Sequence, residues 1–286
     1  NSTIENLINI LRQLVPMGLV ALGAMVVIIS AGIDLSAGYN VSLSAVLTGL
    51  IFAQTGSFII SLFVGIGTGL LVGLINGVLI GKIKIQPFIV TLAMFSIVRG
   101  LTLYFSSGRI VFIDHPLFVI IGTGKIFGIP VSFIIMLVVY FVGYQILNNS
   151  KLGIYTYAIG DNEQAAYLAG VKVNKNKMIF FVLNGLFVGI AAMLLLSRVG
   201  AAQPTTGSGI ELKAIGSVVI GGAPMSGGKG NVVGTFFGVL LWGVIGNALN
   251  MMQVSPFLQE VTIGLLIVFA VAITSLRLRA EKALMD

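Results

Sequence analysis

SKLGIYTYAIGDNEQAAYLAGVKVNKNK (150–177) is the one long polar segment in a chain that is otherwise almost all apolar. It carries Lys151, Lys172, Lys175 and Lys177, together with Asp161 and Glu163. Uncharged apolar runs flank it on both sides. Lysines close to membrane spans mark a cytoplasmic loop, because Lys and Arg resist export. The middle of the segment also has helix signals. Asp161 can cap a helix through NEQAAYLAG, with Asn162, Glu163 and Gln164 opening it and Gly170 stopping it. That is about two turns at 3.6 residues per turn. Ala165, Ala166, Leu168 and Ala169 make one side small and apolar. A short helix held at a membrane surface between two spans suits docking of another protein. The plainer alternative is an ordinary loop with one helical turn.

Working outward, 57% of the 286 residues are apolar and 9% are charged. Mean hydropathy is +1.08. A soluble domain carries about 25% charge, so the expected fold class is an all-α polytopic membrane protein forming one transmembrane domain over residues 1–286. The net charge of +7 sits in short loops between spans. Topology accounts for it, and no nucleic-acid partner is expected. The absence of cysteine excludes disulfides and thiolate chemistry. The one histidine, His115 in IDHPLF, reads as a loop surface residue. No signal peptide is visible, and Asn1-Ser2-Thr3 is a weak glycosylation sequon.

Glu5 to Gln13 reads as a short amphipathic interfacial helix. About 20 apolar residues span a bilayer, and Leu14–Ile33 supplies segment A. Segments B (Asn40–Ala53, short) and C (Phe58–Gly81) follow GIDLSAG. Segment C carries Gly65, Gly69, Gly73, Gly77 and Gly81. A glycine at every fourth position lies on one helix face and admits a close backbone neighbour. Asn76 lies beside that file and needs a polar partner or water. After KIKIQP comes segment D (Phe88–Ser106), then a loop from Ser107 to Ile129 with Arg109, Asp114 and Lys125. Segments E (Pro130–Leu147) and F (Met178–Ser197) flank the polar segment. Segment G (Ala214–Ala223) is half the required length and reads as short or re-entrant. Segments H (Val232–Leu249) and I (Phe257–Ser275) end the series.

Phe88, Thr91, Phe95 and Arg99 share one face of segment D. A charge inside a span usually meets a cavity or a partner. One reading is a water-filled path in which aromatics pack on a sugar and Arg99 bonds its hydroxyls or pairs with Asp34. The other is a buried ion pair with core phenylalanines. Both stay open at this level.

Placing 150–177 inside and alternating sides across every segment, B and G included, puts Lys82, Lys84, Lys229 and the Arg277, Arg279, Lys282 tail on the same side. Ten of the 16 basic residues then face the cytoplasm, which supports the assignment. The alternation puts Asn1 outside, and a helix before residue 1 would bring the count of segments from about nine to ten.

APMSGGKGN fails as a phosphate loop. Gly228-Lys229 fits, but Ala223 stands where the first glycine belongs and Gly230 where the hydroxyl belongs. The nine acidic residues are scattered, and no catalytic motif appears. Nothing argues for an enzyme, a cofactor site or a metal site.

Five stretches resemble the permease subunit of bacterial ABC sugar importers of the ribose, xylose and galactose type. They are ALGAMVVIISAGIDLSAG (21–38), GLINGVLIGKIKIQPFIVTLAMFSIVRGL (73–101), YAIGDNEQAAYLAGV (157–171), SRVGAAQPTTGSGIELKAIGSVVIGGAPMSGGKGNVVGT (197–235) and NALNMMQVSPFLQ (247–259). The resemblance implies the permease fold and the bacterial plasma membrane. It implies a second permease chain, identical or a paralogue, and two cytoplasmic ATPase domains that hold the ATP and Mg²⁺. It also implies an extracytoplasmic sugar-binding protein. The helix around Gly160 to Gly170 then corresponds to the coupling helix that seats in the ATPase. Permeases for branched-chain amino acids or nucleosides share the layout. A different class, an ion-coupled secondary transporter, would need intramembrane carboxylates, for which Asp34 is the one good candidate, and inverted repeats, which are not visible.

Overall fold

The computed structural model describes residues 2–283. Asn1, and with it the sequon, lies outside the described residues, as do the side chains of Arg277, Arg279 and Lys282. The helices are α1 (Ser2–Ile29), α2 (Ala37–Thr55), α3 (Phe58–Gly81), α4 (Pro87–Ser106), α5 (Pro116–Thr123), α6 (Val131–Asn149), α7 (Lys151–Asp161), α8 (Glu163–Leu168), α9 (Val173–Val199), α10 (Ile210–Ile220), α11 (Val232–Met251) and α12 (Pro256–Ala283). Four two-residue strands form two small antiparallel pairs. In the first, β1 (Val111–Phe112) pairs with β4 (Ala201–Ala202). In the second, β2 (Lys125–Ile126) pairs with β3 (Ile129–Pro130).

Seven of these helices, α1, α3, α4, α6, α9, α11 and α12, are long and apolar enough to cross a membrane. Segment B is α2, which has 19 residues but carries buried Asn40, Ser42, Ser44 and Thr48. Segment G is α10, whose 11 residues cover only about 16 Å at 1.5 Å per residue. With these two, the nine segments of the sequence reading are all present as helices.

Several boundaries differ, with α10 starting at Ile210 and α12 running to Ala283 among them. The interfacial helix and segment A are one continuous helix, α1, which ends at Ile29. Pro16 sits inside it without ending it. Ser107–Ile129 is more than a loop, because it contains α5. His115 caps α5, its Nδ1 accepting from the Leu117 N–H at 3.2 Å. The His115 ring also stacks on Phe58, with centroids 6.0 Å apart. Segment F starts earlier, at Val173, so Lys175 and Lys177 lie inside α9. Finally, the polar segment holds two helices, α7 and α8, where one was expected.

The core is organised around α1. Every residue from Leu14 to Ser30 is buried, and α6, α9, α10 and α11 pack around it. A helix apolar on all sides belongs in such a position. At the other extreme, the apolar stretch of α12 is 0% buried. α3 and α9 form the most extensive helix pair. On Gly69 and Gly73 a side chain would run into the backbone of α9, at Gly185, Gly189 and Phe181. On Gly77 and Gly81 it would meet α9 at Met178 and Asn174. Gly65 faces Thr48 of α2 and Met193 of α9 instead. Gly185 and Gly189 are glycines of α9 that answer the file from the other side. Backbone approaches backbone along both helices, which the glycines of α3 allow, matched by glycines of α9 only at Gly185 and Gly189.

Candidate functional site

Two regions hold the singled-out residues. The first is the end of the bundle that carries α7 and α8. Ser150 caps α7, its Oγ accepting from the Leu152 and Gly153 N–H groups at 3.1 and 3.4 Å. The cap of α8 is Asn162, not Asp161. Asn162 Oδ1 accepts from the Ala165 N–H at 2.9 Å, while Asp161 is the last residue of α7. Gly170 ends α8 with φ +85°. The Gly170 N–H donates to Tyr167 O at 2.9 Å and the Val171 N–H to Ala166 O at 3.0 Å. This is the left-handed glycine termination that satisfies the last carbonyls of a helix. Lys177 Nζ pairs with Glu163 Oε2 at 2.6 Å, tying α8 to α9.

The expected apolar side of the short helix is divided. Ala166 turns inward and is buried. Ala165, Leu168 and Ala169 face outward, with Asp161, Asn162, Glu163 and Gly170. Leu168 is 76% exposed, and Tyr167, which the sequence reading left out, is 65% exposed. Gly160 is not on this outer surface at all. It is buried, and a Cβ there would collide with the Ile29 carbonyl and lie 2.7 Å from Gly228 N.

That contact gives the SGGKG turn its place. The Gly228 N–H donates to Ile29 O at 2.8 Å, at the end of α1. Tyr157 of α7 donates its hydroxyl to Gly230 O at 2.9 Å. Partial burial pushes the Tyr157 phenol up, which keeps it a donor. Gly227 (φ +84°), Gly228 (φ +76°) and Gly230 (φ +145°) adopt backbone that other residues resist. α7, the end of α1 and the α10–α11 turn therefore meet at backbone level. The cluster of glycines was the signal in the sequence. Its long-range partner was not readable there. Beside α8, a cleft of about 1190 Å³ opens toward the α3–α4 turn, lined by Lys84, Gln86, Glu163, Tyr167, Lys172 and Lys175 among others. So the lysines of KIKIQP and of 150–177 share one end of the bundle.

The second region is a polar cluster inside the helices. Asp34 lies in the α1–α2 connection and is buried. Its Oδ1 accepts from the Ser36 N–H at 2.8 Å and the Ser36 hydroxyl at 2.6 Å. Its Oδ2 accepts from Asn184 Nδ2 of α9 at 2.7 Å. Asn76 Nδ2 of α3 donates to Ser36 Oγ at 3.0 Å. Thr91 of α4 donates to Ile33 O at 3.3 Å and to Pro87 O at 2.9 Å. Asp34, Asn76 and Thr91 are thus brought together, with Ser36 and Asn184, which the sequence reading did not pick out. The pairing of Arg99 with Asp34 does not form. Asp34 takes its three hydrogen bonds from uncharged donors, the Ser36 N–H and hydroxyl and the Asn184 amide. The Arg99 guanidinium lies over the Tyr39 ring instead, 5.8 Å from its centroid. Phe95 meets the same ring edge-on at 4.9 Å. Arg99 and Phe88 are exposed on the protomer, Phe95 is half-buried and Thr91 fully buried. The expected face is therefore split between a pinned core residue and an outward Phe88 and Arg99.

Asp34→Asn is expected to destabilise the chain by about 2–3 kcal/mol. The amide would turn one NH₂ toward existing donors and leave at least one of them unpaired in the core. Thermal unfolding in detergent checks this, and an unchanged midpoint would remove Asp34 from its role as the joint between α2, α3 and α9.

Seven helices long and apolar enough to cross a membrane, one of them (α1) buried at the centre, with a capped helix pair at the lysine-rich end, fit a transport permease. The chain matches the family described as branched-chain amino acid transport system / permease component over residues 6–271. It belongs to that family, as the permease component of an ABC importer. It is 41% identical over 277 residues to the ribose import permease protein RbsC of Haemophilus influenzae, covering 94% of this chain and 84% of that protein. It is 40% identical to RbsC of Bacillus subtilis, covering 93% and 83%. It is also 37% identical to the L-arabinose transport system permease protein AraH of Escherichia coli, covering 93% and 81%. No solved structure matches.

Proposed function

We propose that the chain moves a monosaccharide of the ribose type across the bacterial plasma membrane as one of two permease subunits around a shared path. The relatives at 35–41% identity are named for ribose, D-allose and L-arabinose. That favours sugar over the branched-chain amino acids of the family's description. An extracytoplasmic binding protein delivers the sugar. Two cytoplasmic ATPase domains, which hold the ATP and Mg²⁺, drive alternating access. The second permease is another copy or a paralogue.

The observation that carries this reading is α8, capped at both ends yet presenting Tyr167 and Leu168 outward beside a basic cleft. A rigid helix with exposed apolar side chains at the lysine-rich end is what a cytoplasmic ATPase can seat. The lysines gathered there support a cytoplasmic position for 150–177. Arg99 supports the shared path. It is exposed near the middle of α4, and facing lipid there costs about 2.5–3.5 kcal/mol on insertion scales. Water or a second permease chain on that face removes the cost. Asp34, buried and held by three hydrogen bonds to Ser36 and Asn184, reads as a structural joint rather than a site of ion coupling.

The test is co-purification with the ATPase subunit. Tyr167→Glu with Leu168→Glu changes only the outer face of α8. The native chain is expected to hold the ATPase, and the double variant to lose at least about tenfold in affinity, or roughly 1.4 kcal/mol, with insertion unchanged. Retention by the variant would sink the docking role of α8. A native chain that holds no ATPase would sink the importer assignment of this face.

A further inference from the structure

We infer that a cavity at the opposite end of the bundle binds a phosphate-bearing anion. It has a volume of about 300 Å³ and lies between α1, α10, α11 and α12, at the end of α9. Two cations line it, Arg198 from the last turn of α9 and Lys213 from the first turn of α10. Both are half-buried. The one ion pair among the described residues is Lys177–Glu163, so neither cation has a carboxylate partner. Glu211, two residues from Lys213, turns away and sets its carboxylate against Gly38 of α2. Among the described residues, no acidic side chain lines the cavity.

Two partly desolvated cations lining one space, with Glu211 interacting with Lys213 only from a distance, leave the site electrostatically incomplete. A tetrahedral oxyanion completes it, since the guanidinium fork and the ammonium together match phosphate oxygens. Asn247 and Asn250 supply neutral amide groups beside the two charges, and Trp242 walls one side. Leu14, Met17 and Leu266 form an apolar wall. Arg198 at the end of α9, Lys213 at the start of α10 and Asn247 and Asn250 at the end of α11 place the mouth of the cavity at helix ends, where the headgroup level of a bilayer lies. The neighbouring outer faces of α11 and α12 are apolar, with Val244, Val261 and Leu265 exposed. The shared chemistry is phosphate. Its source is an anionic lipid headgroup or free phosphate.

The experiment uses the full chain in phosphatidylcholine nanodiscs, with and without phosphatidylglycerol, and separately with inorganic phosphate. The melting temperature of the native chain is expected to rise by roughly 2–4 °C with the anionic lipid. The Arg198→Gln/Lys213→Gln double variant is expected to lose that rise. A rise with inorganic phosphate alone, lost in the same variant, assigns the site to a soluble anion. A rise with phosphatidylglycerol alone assigns it to lipid. An equal rise in native and variant chains, or none with either probe, overturns the inference. Should the variant fail to fold, phosphatidylglycerol with a photoreactive group near its phosphate is crosslinked to the native chain. Labelling concentrated on 242–266 supports the site, and labelling spread over all helices refutes it.

Discussion

Gly160→Ala abolishes ATP-driven uptake while the chain stays in the membrane. A methyl group at this position lands on the Ile29 carbonyl and crowds Gly228 N. Both neighbours are backbone, and they are already hydrogen-bonded to each other at 2.8 Å. No side chain is available to swing away. α7 must lift off the end of α1, the α10–α11 turn must move, or both. Overpacking of this kind costs about 1–3 kcal/mol. The larger effect falls on function, because the contact is where the helix pair proposed to dock the ATPase joins α1. Uptake into proteoliposomes, with the ATPase subunit and binding protein present, is expected to fall at least about tenfold, equivalent to roughly 1.4 kcal/mol of barrier. Ala165→Ser, on the outer surface of α8, serves as the tolerated control. Uptake by Gly160→Ala within twofold of native would show that the α1–α7 contact can loosen without consequence.

The second large effect lies in the α3–α9 pair. Gly73→Leu drives a side chain into Phe181 O and the Gly185 backbone, and Gly69→Leu into Gly185 and Gly189. Each is expected to destabilise the chain by more than about 3 kcal/mol and to leave little folded protein after detergent extraction, since the two backbones must separate along their length. Gly67, on the same helix, has no atom near its added Cβ. Gly67→Leu is expected to stay within about 0.5 kcal/mol of native. Size-exclusion profiles and unfolding midpoints of the three variants decide the matter. Equal behaviour of Gly67→Leu and Gly73→Leu would mean that helix propensity, not packing, governs these glycines.

The contrast between Gly67 and Gly73 shows what the sequence could and could not yield. A period of four on one helix is a local pattern, and it identified the face that is packed. Which helix answers it is a long-range fact, and Gly185 and Gly189 do not stand out in a chain with 37 glycines. The lengths of apolar runs placed α3, α4, α6 and α11 to within a few residues, because bilayer thickness sets them. α5 was missed because eight residues between charged neighbours carry too little pattern. Asp161 and Asn162 are equally good caps by type. The extended backbone at Asn162, φ −153°, decides between them, and it follows from where α7 ends. Asp34 is held by Ser36 beside it and by Asn184 of α9, with Asn76 of α3 bonded to Ser36. Charge suggested Arg99 as a mate, whereas uncharged amide and hydroxyl donors hold the carboxylate.

α1 has a consequence for how the protein is made. Every residue from Leu14 to Ser30 is buried, yet α6, α9, α10 and α11, which bury it, all leave the ribosome later. Until those helices arrive, the faces of α1 that they cover lack their final neighbours. Its small and polar positions, Gly18, Gly23 and Ser30, stay uncovered until helices more than 100 residues downstream arrive. Assembly therefore ends with the enclosure of the helix made before them, and a nascent chain stalled ahead of α9 would expose to quality control a surface that the finished protein never shows.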